Sequence, residues 1–147
     1  MNLFNAFDIS ASGMTAQRMR MDLISENIAN INTTRTEAGG TYRRKVAVFE
    51  ARKPDNDFAR ILGKTIEQQK IGRGVRVVEI NEDQSPFKMV YDPNHPDANE
   101  QGYVSMPNVN IVTEMVNMIS ATRSYEANVT AIQASKDIAL RALEIGK

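Results

Sequence analysis

The chain has 147 residues, with 18 lysines and arginines against 18 aspartates and glutamates, no cysteine, no tryptophan and 41 % apolar residues. Zero net charge removes the electrostatic case for a nucleic-acid or anionic-membrane binder, which needs surplus cations on one face. The missing thiol excludes disulfides, thiolate metal sites and a cysteine nucleophile. The longest run without a charged residue, Gln101 to Thr113, is thirteen residues long and contains Pro107, so stable membrane insertion is not expected. Asp8 and polar neighbours break up the N-terminal apolar positions with no cationic segment before them, so no cleaved signal peptide is expected either.

Charge is distributed unevenly along the chain. Residues 1–36 hold three acids and three bases, residues 111–147 hold four of each, and the 11 acids and 11 bases left lie between them. Each section is neutral by itself, and the two ends are sparsely charged. Low net charge weakens repulsion between copies and favours self-association.

The first element is a helix with a heptad pattern. Phe7, Met14, Met21 and Ile28 recur every seven residues, while Leu3, Ile24 and Ile31 occupy the companion row, interrupted by Ser10 and Gln17. Such a 3.5-residue period makes a seam for a partner helix. The stop is expected between Asn30 and Thr33, where Asn27, Asn30 and Asn32 crowd together, because asparagine bonds to nearby backbone and tolerates the left-handed conformation.

The middle section, 35–107, reads as β-rich. Strand candidates are Thr41 to Ala51, Gly74 to Ile80 and Phe87 to Tyr91. Between the first two, residues 53–73 form a charged insertion in which helical spacing of apolar residues is broken by Gly63. Asp92 to Pro107, with three prolines and a Gly-Tyr turn, reads as an extended connector.

The last section, 108–147, is a long helix capped by Asn108 or Asn110. Its expected seam runs through Ile111, Met115, Met118, Tyr125, Val129, Ile132, Ala139 and Leu143, widened by Val112, Ile119 and Leu140, with Thr122 and Lys136 as weak points. The two helices can pair only with each other, as an antiparallel hairpin inside a monomer, or can also face neighbours. Wide, Met-rich seams around so small a centre favour the second arrangement, and helices that order on assembly. The fold class is therefore α+β: terminal helices pairing as a coiled-coil-like hairpin, with a small β-rich middle.

No catalytic constellation emerges. His95 is the only histidine and no cysteine can join it as a metal ligand. The run Arg43-Arg44-Lys45 would alternate faces on a strand and makes no single anion patch. Gly63-Lys64-Thr65 copies the end of a phosphate loop but has Phe58 where the upstream glycine is required. No cofactor is expected.

Several segments resemble the axial proteins of the bacterial flagellum, and in particular the basal-body rod family. Asn27 to Thr33 (NIANINT) is similar to that family's Asn-rich N-terminal signature. Thr41 to Lys45 with Val48 to Glu50 is similar to its first strand after the signature. His95 to Asn99 (HPDAN), Gly102 to Val104 and Pro107 to Asn110 (PNVN) are similar to its connector and the start of its last helix, and Glu114 to Tyr125 to that helix itself. The resemblance implies a structural, non-enzymatic subunit of the proximal rod, a drive shaft spanning the periplasm and needed for motility. It also implies export by the flagellar type III apparatus. The implied partners are other copies of the chain, other rod proteins, and the junction with the membrane ring and export gate, with no nucleic acid. Subunit packing is then expected at Phe7, Met14, Met21, Ile24, Ile28, Ile31, Met115, Met118, Ile119, Tyr125, Val129, Ile132 and Leu143, with Asn27, Asn30 and Asn32 as the helix-end signature. The competing expectation is a secreted helical binding module or chaperone-like protein.

Overall fold

A computed structural model describes residues 3–37, 39–52 and 73–145, so nearly all of the charged insertion lies outside the described residues. The elements run α1 (Leu3–Ala29), β1 (Lys45–Ala51), β2 (Val75–Glu82), β3 (Lys88–Tyr91), β4 (Tyr103–Met106) and α2 (Ile111–Ile145). The class is α+β, with a helix at each end and small antiparallel sheets between them.

Neither helix contains a proline, and both have a defined end. At the close of α1 the backbone N–H and the side-chain amide of Asn30 both donate to the Glu26 carbonyl, at 3.0 and 2.9 Å. At the start of α2 the Asn110 carboxamide oxygen accepts from the N–H groups of Val112 and Thr113, at 3.0 and 3.2 Å, satisfying donors that a helix start leaves open. With 27 and 35 residues, the helices are about 40 and 52 Å long at 1.5 Å per residue.

The helices pack antiparallel. Asn27 meets Glu114, Met21 meets Thr122, and Gly13 faces Asn128, so α2 runs down as α1 runs up. On α2 the inward positions alternate by four and three: Glu114, Met118, Ala121, Tyr125, Asn128, Ile132, Ser135 and Ala139, all buried or half-buried. One of the two interleaved rows (Met118, Tyr125, Ile132, Ala139) is mainly apolar and belongs to the expected seam. The other, Glu114, Ala121, Asn128 and Ser135, is polar or small. Its polar members survive because several bond within the helix: Asn128 donates to the Ser124 carbonyl at 2.8 Å and Ser135 to the Ala131 carbonyl at 2.9 Å. Gly13 is the point of close approach, since a β-carbon there would lie 2.8 Å from the Asn128 side-chain oxygen.

Among the described residues each sheet has two antiparallel strands. In the first, Lys45 pairs with Glu82 and Val48 with Glu79, then the register shifts so that Phe49 pairs with Val77 and Ala51 with Val75. This bulge resets the inside–outside alternation, which is why Val48 and Phe49 are both exposed. The second sheet corrects the expectation of an extended connector: Tyr103–Met106 is a strand paired with β3, from Lys88 opposite Met106 to Tyr91 opposite Tyr103. Gly102 makes that return possible, with φ of +80° and no room for a β-carbon beside the Tyr91 ring.

Two-stranded sheets are marginal alone in water. The first is fastened to α1 at Ser12, whose hydroxyl donates to the Ile9 carbonyl at 2.7 Å and accepts from Val75 N–H at 3.1 Å. Among the described residues the buried apolar side chains are few: Ala16, Leu23, Ile24, Tyr42, Val104 and Ala121. That core is thin beside the apolar surface left in water.

Candidate assembly site

Where the end of α1, the start of α2 and the first sheet converge, the chain builds a buried polar joint. Asn27, only 1 % exposed, uses its whole hydrogen-bonding capacity there. Its amide donates to the Lys45 carbonyl at 2.9 Å and to Glu114 Oε2 at 3.2 Å. Its oxygen accepts from Tyr42 Oη at 3.0 Å and Lys45 N–H at 2.9 Å.

Glu114 is fully buried and is held from the other side by Arg44, whose Nε and Nη2 each lie 2.8 Å from Oε1. A charge removed from water is tolerated when it is paired and hydrogen-bonded, as here. Arg44 Nη1 reaches on to Asp83 at 3.4 Å, and Arg44 N–H donates to the Asn108 side-chain oxygen at 2.9 Å. Asn108 in turn donates to the Asp83 carbonyl at 2.9 Å, closing the ring. Lys45 pairs with Glu26 at 2.6 Å, and the Arg43 guanidinium lies over the Phe87 ring, 4.3 Å from its centroid. The three adjacent cations thus go to three different partners.

Among the described residues two groups have shifted pKa values. Burial, and then the nearby charges of Glu26, Glu82 and Glu114, push the Tyr42 phenol up from about 10 to about 12. The Asp83 carboxyl is held low, first by the hydroxyl and N–H of Ser85 and then by Arg44. Every polar atom of Asn27, and both oxygens of Glu114, already has a partner inside the protein. The joint therefore ties α1, α2 and the start of β1 together.

The residues expected in the seams separate into two sets. On α1, Ile24 is buried, and Phe7, Met14, Met21, Ile28 and Ile31 are half-buried. Met21 reaches α2, its sulfur 3.6 Å from the Thr122 hydroxyl. On α2, Met118, Tyr125, Val129 and Ile132 are half-buried, whereas Met115, Ile119 and Leu143 are exposed. Of the three asparagines, Asn30 sits at the helix end, Asn32 is exposed, and Asn27 is the hub of the joint. Sequence reasoning passed over Glu114 and Arg44 as organising residues. The available signal was that Glu114 begins a heptad row of small and polar residues.

Opposite the α1 contact, Val112, Met115, Val116 and Ile119 follow i, i+3, i+4, i+7 spacing and are 66, 55, 61 and 54 % exposed. Each aliphatic side chain gains about 1.5–3 kcal/mol on full burial. A contiguous patch of this kind marks an interaction surface. His95 lies elsewhere, with Nδ1 accepting from Asp97 N–H at 3.1 Å in a turn. Among the described residues, no helix is long and apolar enough to cross a membrane.

The matches to known proteins cover both helices and extend over the whole chain. The family described as flagella basal body rod protein matches residues 7–35, and that described as flagellar basal body rod FlgEFG protein C-terminal matches residues 100–145. The flagellar basal-body rod protein FlgC of Bacillus subtilis is 47 % identical over 100 % of both chains. That of Borreliella burgdorferi is 47 % identical over 99 % of this chain and 98 % of its own. The Salmonella typhimurium protein is 40 % identical over 100 % of each. Full-length identity at this level, together with two rod-family matches that fall on the terminal helices, means that the chain belongs to the flagellar basal-body rod protein FlgC family, a family of structural rod subunits and not of enzymes.

Proposed function

We propose that this rod subunit assembles helically in the proximal rod, through the faces its terminal helices leave uncovered, and there transmits torque across the periplasm. The observation that carries the proposal is the division of α2: one side is fastened to α1 through the polar joint, and the other offers Val112, Met115, Val116 and Ile119 to solvent. Heterologous contacts that do not close on themselves generate a helical tube, the shape a shaft needs. Torque then passes through many packed side chains instead of one hinge. The thin core supports export through the flagellar type III apparatus without a cleaved signal, because little packing must be undone to thread the chain. Met14, Met21, Ile28 and the apolar residues of α2 are the packing residues in this proposal, and the neighbours are other copies, other rod proteins, and the junction with the membrane ring and export gate.

Imaging basal bodies purified from cells with and without the chain tests the proposal. Cells lacking it are expected to make rings without an intact rod and to be non-motile, and plasmid-borne chain restores both. An intact rod in its absence contradicts the proposal.

A further inference from the structure

Beside the polar joint lies a cleft of about 260 Å³ between α1, α2 and β1, with Leu23, Ile24, Val46 and Ala47 along it and Arg20 and Asn117 at one side. Water takes about 30 Å³ per molecule in the liquid, so the cleft has room for a whole side chain. Its charges are unequally matched. Arg44 is paired with Glu114 and Asp83, and Lys45 with Glu26. Arg20, half-buried, reaches only the neutral Asn117 side-chain oxygen at 3.4 Å and has no acid partner among the described residues. An unneutralised guanidinium beside an apolar lining fits a carboxylate carried on an apolar segment.

The same chain exposes such a segment at the far end of α2. Extending the register set by Gly13 and Asn128 places Leu3 opposite Ile138, so α2 from Ala139 onward runs past Leu3, the first described residue of α1. There Leu140 and Leu143 are 49 and 71 % exposed. Asp137, Leu140 and Glu144 share one helix face, and both acids are exposed, without an ion pair among the described residues. Asn117 and Glu144 are 27 residues apart on one continuous helix, about 40 Å at 1.5 Å per residue, so Glu144 cannot reach the Arg20 of its own chain.

We propose that the end of α2 in one copy seats in this cleft of the next, with Glu144 paired to Arg20 and Leu140 against the apolar lining. The proposal rests on the rod-subunit reading and adds a head-to-tail contact between copies. Because the two surfaces differ, the contact is heterologous, and it repeats as an open helix when the rotation from one copy to the next does not close.

Charge exchange tests it in cells whose only copy is the variant. Arg20→Glu and Glu144→Arg are each expected to lower intact rods about thirtyfold or more, the scale on which breaking one side of a desolvated ion pair weakens an interface. The two together are expected to restore rods. Arg20→Gln, with helix content verified by circular dichroism, gives the same loss without a reversed charge. In a chain with no native cysteine, Arg20→Cys with Glu144→Cys is expected to give a disulfide joining two copies in isolated basal bodies, assigned by mass spectrometry. Wild-type rod numbers in either single reversal, a double no better than the singles, or a disulfide to a different rod protein overturns the cleft contact while the rod-subunit reading stands. Rods that form without the chain overturn that reading itself.

Discussion

The side-chain amide of Asn27 donates to the buried carboxylate of Glu114 at 3.2 Å, and this bond sets the register of the helix pair together with the Gly13–Asn128 contact. Gly13 to Asn27 on α1 and Glu114 to Asn128 on α2 are both fourteen residues, two heptads, so the two contacts specify the same alignment. Apolar side chains tolerate a shift of one heptad, whereas a buried carboxylate does not, because the shift would strip it of Asn27 and Arg44. Polar residues in a helix seam are best attested in this registering role.

Glu114→Ala should therefore be costly. It leaves the Arg44 guanidinium and one Asn27 N–H without their partner, and removing one side of a buried pair costs about 3–5 kcal/mol. Thermal unfolding followed by far-ultraviolet circular dichroism measures the loss. Glu114→Leu combined with Arg44→Met should recover much of it, since no buried ion is then orphaned and Asp83, which loses Arg44, is partly exposed to water and keeps its bonds from Ser85.

Gly13 tests the close approach. Gly13→Leu drives a side chain into Asn128 and is expected to cost about 1–3 kcal/mol, the usual scale for overpacking. Gly13→Ala with Asn128→Ala removes the obstructing atoms, and the alanine favours helix by about 1 kcal/mol over glycine. The double variant should melt at or above the wild-type temperature.

The terminal helices and the first three strands were legible because each depends on local pattern or residue type. The fourth strand was not: Pro93, Pro96 and Pro107 dominate Asp92 to Pro107, and the four residues that pair with β3 are too few to show a period. The α2 seam was half legible. Met118, Tyr125 and Ile132 announce their row by being apolar, whereas Glu114, Asn128 and Ser135 occupy the companion row through partners on α1, just before β1 and within the helix. Nothing local to NIANINT separates Asn30, which ends the helix, from Asn27, which binds another element. That difference is tertiary.

The joint has an alkaline limit. Folding raises the Tyr42 phenol from about 10 to about 12, so the folded state holds its proton where the unfolded state has lost it. Its contribution is therefore complete below about pH 10 and falls as pH rises toward 12. Asp83 has the opposite sign: its carboxyl is held low, so its contribution is present above about pH 4 and falls as acid protonates it. Tyr42→Phe should flatten the alkaline decline and, by deleting the bond to Asn27, cost about 0.5–1.5 kcal/mol at neutral pH. Unfolding by urea at pH 7, 10 and 11 separates the two effects.

If α2 faces its own α1 on one side and its neighbours in the rod on the other, Val116→Asp and Ile119→Asp should separate folding from assembly, because both side chains lie on the exposed side, away from the joint. The single chain should keep its melting behaviour within about 0.5 kcal/mol, as surface substitutions usually do. Electron microscopy of basal bodies from cells carrying either variant should then show rings without a complete rod, with the chain still exported. Complete rods in normal numbers would mean that this face of α2 meets no neighbour in the rod.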